Sequence, residues 1–303
     1  MQQRGGSMPV TELNDNQSEI IKYNVPDMPI KSFTSNQYDY PTLSFVNHWH
    51  TDFEFAYLRK GSMMYNVNGE NIPLCEGDMI MVNSGQLHYN WWEKPCDCEF
   101  VCLIFHPSLL DQSICRIFLD KISGHGSTPY CIFHENIASE RSMISLAETV
   151  CSCAERPYDG CGFDIMSSIY KLCGLLYEHF KGTEIRKQPD RRRLESVRSM
   201  VGYIQQRYAE KITLEDIAEA GMVCRSACCT IFREYLGKTP IEYLNEYRIS
   251  KSTDMLRESR ENITHIASAC GFSNSSYFTE TFVKLMKCTP RDYRSKANAQ
   301  EEN

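Results

Sequence analysis

Short hydrophobic runs alternate with turn signals between Thr34 and Phe105, in the first half of this chain. The runs are rich in β-branched and aromatic residues, and three polar segments separate them: Asn68-Gly69, Glu76-Gly77-Asp78 and Asn83-Ser84-Gly85. Glycine beside asparagine or an acidic residue supplies the positive φ angles that tight turns between antiparallel strands require. The pattern therefore predicts an antiparallel barrel or sandwich.

The hydrophobic period becomes helical between Ile137 and Phe180, where ASERSMISLAETVCSCAE and DIMSSIYKLCGLLYEHF are separated by Pro157 and by 160–162. In the second stretch, apolar residues at three- and four-residue steps form a stripe: Ile165, Ile169, Leu172, Leu176 and Phe180. The stripe predicts either packing against the barrel or a seam between two subunits. The polar segment GTEIRKQPDRRR that follows is typical of a linker.

An internal repeat occupies the last third of the chain. Ile212-Thr213 followed by Ile217-Ala218 returns as Ile263-Thr264 followed by Ile266-Ala267, and Thr239-Pro240-Ile-Glu-Tyr243 returns fifty residues later as Thr289-Pro290-Arg-Asp-Tyr293. In the Thr-Pro-x-acid pattern, threonine caps a helix, proline takes its first position, and the acid accepts hydrogen bonds from free backbone N–H groups. The repeat predicts two similar helical units.

Each repeat contains a helix with one apolar and one polar face. The apolar positions, at i, i+3, i+4 and i+7, are Cys228, Ile231, Phe232 and Tyr235 in the first copy and Phe278, Thr281, Phe282 and Leu285 in the second. The polar faces are Arg225, Ser226, Cys229, Thr230 and Arg233, and then Asn274, Ser275, Ser276, Thr279 and Glu280. A short helix, a tight turn and a second helix with a polar outer face predict a helix-turn-helix motif, whose second helix enters the DNA major groove.

An all-helical interaction domain with solvated outer faces is the alternative interpretation. Solvated faces usually carry many lysines and glutamates, whereas these faces carry serine, threonine and asparagine, which are small enough to let a helix approach base edges. DNA binding is therefore favoured.

The segment from Ile212 to Arg294 resembles the DNA-binding domain of the AraC/XylS family of transcription regulators. The resemblance lies in IAEAGMVCRSACCTIFREYLG, IASACGFSNSSYFTETFVK and the final TPRDYR. It implies that two recognition helices enter successive major grooves of double-stranded DNA, joined by a helix over Ile241–Arg257 that is about 25 Å long. The ten polar-face residues named above are the DNA contacts that we expect.

Four positions depart from that family's usual pattern. Cys224 stands where serine is usual, Thr230 and Glu280 stand where a basic residue is usual, and Cys288 stands where glycine is usual. A cysteine caps a helix less well than serine. Glu280 would repel phosphates, but it can accept a hydrogen bond from cytosine N4.

Three histidines and one glutamate follow a spaced pattern in the front half. His48-x-His50-x3-Glu54-x6-Gly61 is followed by Gly77-x5-Asn83-x-Gly85-x2-His88. Residues 48, 50 and 54 have the same parity, so an extended strand directs their side chains to one face, and Phe53, Phe55 and Tyr57 take the other. We expect His88 to return to the same interior after a hairpin.

This two-part pattern resembles the cupin motif, with Asn83 where proline is usual and Trp92 where a late asparagine is usual. AraC-type regulators commonly carry a cupin-like sensor in this position. In metal cupins the four residues His48, His50, Glu54 and His88 hold a divalent ion, here Zn, Fe, Mn or Ni. The other interpretation is a polar pocket, lined by the same residues and Trp92, for a sugar or another polar metabolite. No other cofactor is indicated.

Composition and charge are those of a folded protein with an acidic front half. The 303 residues include 42% hydrophobic and 23% charged residues and carry a net charge of −7. Residues 1–189 carry a net charge of −9 and residues 190–303 one of +2, so the acidity does not lie in the helical repeats. The chain has neither an uninterrupted apolar stretch of membrane-spanning length nor a signal-peptide core, so we expect a cytoplasmic protein without a membrane partner.

Fifteen cysteines are scattered along the chain, which in a large cytosolic protein is typical of reduced thiols and small buried hydrophobes. The cluster Cys96, Cys98 and Cys102 lacks the paired Cys-x-x-Cys spacing of a zinc knuckle. A thiol redox regulator remains an alternative, for which reductant would change DNA affinity.

Together these patterns predict an α+β protein: a cupin-like antiparallel β-barrel with a helical dimerisation segment, then an all-α domain with two helix-turn-helix motifs. The predicted boundaries are an N-terminal arm (1–33), the barrel (34–136), the helical segment (137–182), a linker (183–193), the DNA-binding domain (194–296) and a tail (297–303). We expect a non-enzymatic, ligand-responsive regulator that forms a homodimer and is compatible with contacts to RNA polymerase. The alternative is a metal-dependent cupin enzyme, which gives the repeated helices no role.

Overall fold

The computed structural model describes residues 14, 18–37, 47–94, 96–111, 113, 115, 116, 118, 119, 128–181 and 190–301, with side chains up to Ser295 in the last range. Contacts between these residues define two compact units, one from Ser18 to Arg191 and one from Arg192 onwards. Residues 183–189 of the predicted linker, 1–13 and 15–17 of the predicted arm, and 302 and 303 of the predicted tail lie outside the described residues.

The first unit is built on two antiparallel sheets. The strands are β1 (Ile30–Asn36), β2 (Phe53–Lys60), β3 (Ser62–Val67), β4 (Glu70–Cys75), β5 (Asp78–Val82), β6 (His88–Trp91), β7 (Glu99–Phe105) and β8 (Tyr130–His134). One sheet has the order β1-β7-β2-β5-β8 and the other the order β4-β3-β6. The predicted antiparallel barrel architecture is confirmed, and β1 begins at Ile30, inside the predicted arm, because residues 30–36 pair with β7.

The predicted turns connect these strands. Asn68 and Gly69 adopt φ angles of 53° and 94° between β3 and β4, and Gly77 adopts 87° between β4 and β5. Both central residues of the first turn thus have the positive φ that a type I′ hairpin needs. Gly85, with φ of 71°, lies in the turn that leads into β6.

Strand β2 divides its side chains between two environments, as its alternation predicts. Phe53, Phe55 and Tyr57 belong to the main hydrophobic cluster, which also contains residues of two helices. Glu54, between Phe53 and Phe55, points to the opposite face and is only 5% exposed. The barrel interior therefore receives a buried carboxylate.

Helices α1 (Ala138–Glu155) and α2 (Cys161–Lys181) cover the larger sheet. The helical structure is interrupted between them, as predicted. From Ile165 to Leu176, the side chains of the predicted apolar stripe are at most 1% exposed and pack in the same cluster as β2. Of the two roles predicted for the stripe, packing against the barrel is therefore the observed one. A subunit seam through Leu172 is wrong, because its side chain is already buried within one chain.

The second unit is all helical. Its helices are α3 (Arg191–Arg207), α4 (Leu214–Ala220), α5 (Arg225–Leu236), α6 (Pro240–Glu258), α7 (Ile263–Ala269), α8 (Ser275–Met286) and α9 (Pro290–Glu301). Helix α3 starts three residues before the boundary predicted at 194. The pairs α4–α5 and α7–α8 are the two repeats, and α6 joins them.

The helix caps explain why the repeats begin where they do. Thr239 and Glu242 form a reciprocal capping box at the start of α6, and Thr289 and Asp292 exchange the same bonds before α9, as the Thr-Pro-x-acid pattern predicts. Thr213 caps α4, but its counterpart at α7 is Asn262. The predicted pairing of Ile212-Thr213 with Ile263-Thr264 is therefore wrong, since Thr264 lies inside α7.

The inward face of α5 is as predicted, whereas on α8 Thr281 is only half-buried and Leu285 is exposed. Cys228, Ile231, Phe232 and Tyr235 are at most 4% exposed, and Phe278 and Phe282 are fully buried. Leu285 is 37% exposed, while Met286 packs against the cluster formed by α6, α7 and α8. The buried line on α8 therefore runs through positions 278, 282 and 286 at four-residue steps and leaves Leu285 at its side.

Among the described residues, no helix has the length and apolarity that a bilayer crossing demands.

Candidate nucleic-acid interface and polar barrel cluster

Helix α5 carries the first predicted polar face on its exposed side. Arg225, Ser226, Thr230 and Arg233 are exposed and Cys229 is half-buried. Thr230 donates its hydroxyl hydrogen to the carbonyl of Ser226 at 2.9 Å, so that hydroxyl is partly occupied by the helix itself. The face presents two guanidinium groups around short polar side chains, which suits a helix lying in a major groove.

Arg225 is already engaged in an ion pair. Its Nη1 lies 2.8 Å from Oε1 of Glu215 on α4, and the two side chains are 65% and 58% exposed. An exposed pair of this kind stabilises a fold by about 1 kcal/mol at most. A phosphate or a guanine edge can therefore compete with Glu215 for this guanidinium.

The start of α5 lacks the side-chain cap seen at its neighbours. Within the described residues, Cys224 at the N-cap makes no side-chain hydrogen bond to the backbone of the first turn, and its Sγ lies 3.2 Å from the hydroxyl oxygen of Ser226. The hydrogen bond with the hydroxyl of Ser226 lowers the pKa of the exposed Cys224 thiol. The sequence-based expectation of a weak cysteine cap agrees with this geometry.

Helix α8 presents the second predicted polar face. Ser275, Ser276, Thr279 and Glu280 line one open groove together with Val283 and Lys284. Asn274 is the N-cap, and its Oδ1 accepts hydrogen bonds from the backbone N–H groups of Ser276 and Tyr277. Its side chain is thus used to start the helix, whereas Ser276 and Glu280 remain exposed.

Three exposed residues near these faces escaped the sequence pattern. Met222 is 90% exposed and has a φ angle of 51° in the turn before α5. Lys284 lies beside Glu280 and brings a positive charge to the second face. Tyr277 accepts a hydrogen bond from Nδ2 of Asn245 at 2.8 Å, which ties α8 to α6. The i, i+4 spacing of Glu280 and Lys284 could have placed this lysine on the second polar face.

The four predicted cupin-motif residues lie together in the barrel. One potential ligand atom from each of His48, His50, Glu54 and His88 lies within 4.8 Å of the others. Nε2 of His50 and Nε2 of His88 are each 3.2 Å from Oε2 of Glu54. His50, Glu54 and His88 are buried and His48 is half-buried. The four side chains converge as predicted, but not from one extended strand, because β2 begins at Phe53 and a bend at residues 51 and 52 separates it from His50.

Backbone pairing holds two of the rings side by side. His48 and His88 donate their backbone N–H groups to each other's carbonyl oxygens at 3.1 and 2.9 Å. Their ring centroids are 4.3 Å apart, and His50 lies 5.7 Å from His48 and 5.1 Å from His88 by the same measure. The centre of this group is therefore filled by its own imidazoles.

Burial and mutual charge shift the pKa values in this group. Burial would raise the pKa of Glu54, but the charge on His88 and hydrogen bonds from His50 and His88 hold it well below its usual value. Burial and the nearby His88 lower the pKa of His48 to about 4. Burial opposes the charged form of His88 as well, but Glu54 raises the His88 pKa. The carboxylate is therefore ionised and surrounded by positive or hydrogen-bonding groups.

Three further side chains complete the group and carry no sequence signal of their own. The hydroxyl of Tyr65 on β3 donates to Oε1 of Glu54. Oε2 of Glu19 lies 3.7 Å from Nε2 of His48, and Oδ2 of Asp52 lies 3.8 Å from Nδ1 of His50. Glu19 is held there because its backbone N–H donates to the carbonyl of Trp49. We call these seven residues the barrel cluster.

Trp92, which the cupin resemblance also suggested, has other neighbours. Its ring packs against Phe100 with a centroid distance of 6.3 Å, and its side chain is 3% exposed. Among the predicted cysteines, burial raises the pKa of Cys98 and raises that of Cys102 further. These thiols are thus held protonated in the core.

Comparison with known proteins points to one class. Residues 34–136 match the model of an AraC-like ligand binding domain, and residues 217–296 match that of a helix-turn-helix domain. An uncharacterized HTH-type transcriptional regulator, YdeC of Bacillus subtilis, is 27% identical over 93% of this chain and 97% of its own length. The HTH-type transcriptional activator RhaS of Pectobacterium carotovorum is 26% identical over 86% of this chain and 92% of its own length.

Among solved structures, ToxT from Vibrio cholerae aligns with 88% of this chain and 98% of its own, at 16% identity and a TM-score of 0.45. The DNA-binding domain of AdpA in complex with a target DNA aligns with 34% of this chain and 94% of its own, at 21% identity and a TM-score of 0.33.

Proposed function

Because the chain belongs to the AraC/XylS family of transcription regulators, we propose that its helices α5 and α8 bind successive major grooves of double-stranded DNA, under the control of an effector bound in the barrel. The observation that carries this proposal is the exposure of two helix faces, rich in short polar side chains, in one helical unit. Such a regulator acts where the DNA is, in the cytoplasm, and needs no catalytic step.

Helix α6 supports the two-groove arrangement. It has 19 residues, from Pro240 to Glu258, and joins the two repeats without interruption. At about 1.5 Å per residue this is roughly 28 Å, close to the separation of about 34 Å between successive major grooves on one side of B-DNA. Buried residues occur along α6 from Pro240 to Leu256, so both repeats are fixed to one rod.

The two faces suggest a division of roles. Arg225 and Arg233 on α5 suit guanine edges and phosphates, because guanidinium groups bind both. Ser276 and Thr279 on α8 suit base edges at short range. Glu280 suits cytosine N4, which is a donor in the major groove. Cys229, Thr230, Asn274 and Ser275 lie beside these contacts.

A homodimer is part of the proposal, through the outer face of α2 rather than its buried stripe. Phe163 on that helix is 84% exposed. A Cβ added to Gly174 would meet no heavy atom within 4 Å among the described residues. A glycine inside a helix lowers the stability by about 1 kcal/mol relative to alanine. Close approach of a second subunit at Gly174 would explain why glycine stands here. Contacts to RNA polymerase would then be made from the DNA-bound dimer.

Selection of bound sequences from random DNA by the full-length protein tests the proposal. We expect one enriched site with two groups of preferred bases about one helical turn apart. Ser276→Ala should weaken binding to that site by about 1 to 3 kcal/mol and relax the preference at one position. Arg233→Ala should weaken binding to all sequences and reduce the salt dependence.

Ser295→Ala is the matched control, because this serine donates to the carbonyl of Arg291 on α9, a helix that carries neither polar face. The proposal fails if no sequence is enriched, or if Ser276→Ala and Ser295→Ala behave alike. In that case a metal-dependent cupin enzyme becomes the better interpretation of the barrel.

A further inference from the structure

The barrel cluster concentrates negative charge in a buried place. Three carboxylates, of Glu19, Asp52 and Glu54, lie within 3.8 Å of an imidazole nitrogen. The side chains of the three carboxylates are at most 13% exposed. Buried charges are stable only when they are paired or coordinate a metal ion. The cluster therefore favours a cation over a neutral or acidic ligand.

The imidazole of His88 is oriented as a ligand. Its Nδ1 lies 2.8 Å from the carbonyl oxygen of Gln86, which can only accept, so Nδ1 carries the hydrogen. Its Nε2 faces Oε2 of Glu54 at 3.2 Å, where a hydrogen bond joins the two atoms in the absence of an ion. Because Nδ1 keeps its own hydrogen, a cation can take the place of the bridging hydrogen and bind both atoms. Metal-binding histidines are typically fixed by such a bond from the second nitrogen to a carbonyl or a carboxylate.

His50 lies between two carboxylates, although its Nδ1 lacks, within the described part of the chain, the hydrogen bond that fixes His88. Its Nε2 lies 3.2 Å from Glu54, and its Nδ1 lies 3.8 Å from Asp52 on the other side of the ring. Two ligand atoms that each lie about 2.1 Å from one ion are about 3 to 3.5 Å apart. The spacing of both nitrogens from Oε2 of Glu54 falls in this range.

Tyr65 restricts Glu54 to one ligand atom. Its hydroxyl donates to Oε1, which leaves Oε2 as the oxygen that faces the histidines. The imidazoles themselves occupy the centre, with ring centroids as close as 4.3 Å. Sugar hydroxyls would have to displace these rings, whereas a single ion needs only small shifts of the four ligand atoms, which already lie within 4.8 Å of one another.

We propose that the effector of this regulator is a divalent transition-metal ion, bound by His48, His50, Glu54 and His88, with Tyr65 as a positioning residue for Glu54. Three nitrogen donors and one oxygen donor suit Zn and the neighbouring metals Mn, Fe and Ni. Since an effector is meaningful only for a regulator, this assignment rests on the DNA-binding function proposed above.

Titration of the full chain, purified without a histidine tag, with ZnCl2 or CoCl2 tests the assignment. We expect one ion per chain, seen by elemental analysis and, for cobalt, by visible d–d absorption. Glu54→Gln should abolish both signals. Tyr65→Phe should retain the stoichiometry but weaken the affinity by about 10- to 100-fold, as loss of a hydrogen-bond donor to a metal ligand does.

Tyr130→Phe is the matched control, because its hydroxyl makes the same kind of bond, 2.6 Å to Oε1 of Glu70 outside the cluster. Its metal affinity should equal that of the wild type. Circular dichroism shows which variants are folded. If Glu54→Gln is not folded, the metal stoichiometry of the wild type and the comparison of metal affinity between the two tyrosine variants test the assignment.

DNA binding to the selected site is then measured with the ion and after chelation by EDTA. We expect the affinity to change by at least about 5-fold in the wild type and to be unaffected in Glu54→Gln. Less than about a tenth of an equivalent of metal, with DNA binding intact, overturns the metal effector and leaves the regulator. Full occupancy with equal DNA affinity in both conditions also overturns it. Metal binding without any DNA binding overturns the regulator itself, and with it the effector role.

Discussion

Replacement of Gly271 by alanine is the sharpest test of how the second repeat is anchored. Gly271 follows α7 with a φ angle of +82°, and a Cβ at this position would lie 2.5 Å from the carbonyl oxygen of Tyr208 and 3.0 Å from the carbonyl carbon of Ala209. Both neighbours are backbone atoms just after α3, so they cannot turn aside as a side chain would. The turn before α8 is therefore pressed against the first part of the helical unit.

The expected cost has two parts. A left-handed φ costs a residue with a Cβ about 1 to 2 kcal/mol, and a forced contact in a packed region costs about 1 to 3 kcal/mol. We expect Gly271→Ala to lower the free energy of unfolding by about 3 kcal/mol. Gly237→Ala separates the two parts, because Gly237 has a φ of +67° but no heavy atom, among the described residues, within 4 Å of its added Cβ. It should cost only about 1 kcal/mol.

Urea denaturation followed by two signals measures the difference. The three tryptophans are residues 49, 91 and 92, so their fluorescence reports on the barrel, while far-UV circular dichroism is dominated by the helices. The dichroism transition should move to lower urea in the order wild type, Gly237→Ala, Gly271→Ala, with the fluorescence transition unchanged. Equal shifts for the two variants would show that the contact with Tyr208 is unimportant, and the reasoning would be refuted.

Three further outcomes are expected. Thr239→Ala removes the side-chain half of the capping box of α6, and should cost about 1 kcal/mol in the dichroism transition; an unchanged midpoint would contradict the capping role. Gly174→Ala should stabilise α2 by about 1 kcal/mol yet reduce the dimer fraction in light scattering, and a variant that is more stable and equally dimeric would remove α2 from the interface. Phe133→Ala deletes a side chain with no exposed surface and should cost about 3 to 5 kcal/mol in the fluorescence transition, whereas a cost below about 1 kcal/mol would contradict its place in the core.

Local patterns predicted those features whose causes lie within a few residues. The turn at Asn68-Gly69 and the boxes at Thr239 and Thr289 depend on dihedral preference and on groups three residues apart, which a sequence displays directly. The buried line of α5 followed from helical period alone. The convergence of His88 with Glu54 could be predicted because both lie on strands, where parity limits each side chain to one of two faces.

Other features depend on contacts between distant segments. The apolar stripe on α2 predicts that an apolar surface covers it. Periodicity does not show whether that surface belongs to the barrel of the same chain or to a second subunit. Leu285 was placed on the wrong side because the partners of α8 select positions 278, 282 and 286. Glu19 joins the barrel cluster through a bridge to Trp49, thirty residues away, and no local pattern marks such an approach.

Under the two-groove binding proposed above, the continuity of α6 limits the DNA sequences that the protein can bind. Since both repeats are attached to one helix, and Tyr277 of the second repeat is also bonded to Asn245 on that helix, neither recognition helix can slide or rotate independently. Insertion of one base pair between the two groups of contacted bases would move them apart by about 3.4 Å and turn them by about a tenth of a revolution. The protein would then bind one group or the other, but not both. The fixed length of α6 would therefore exclude DNA sites that contain the preferred bases at a different spacing.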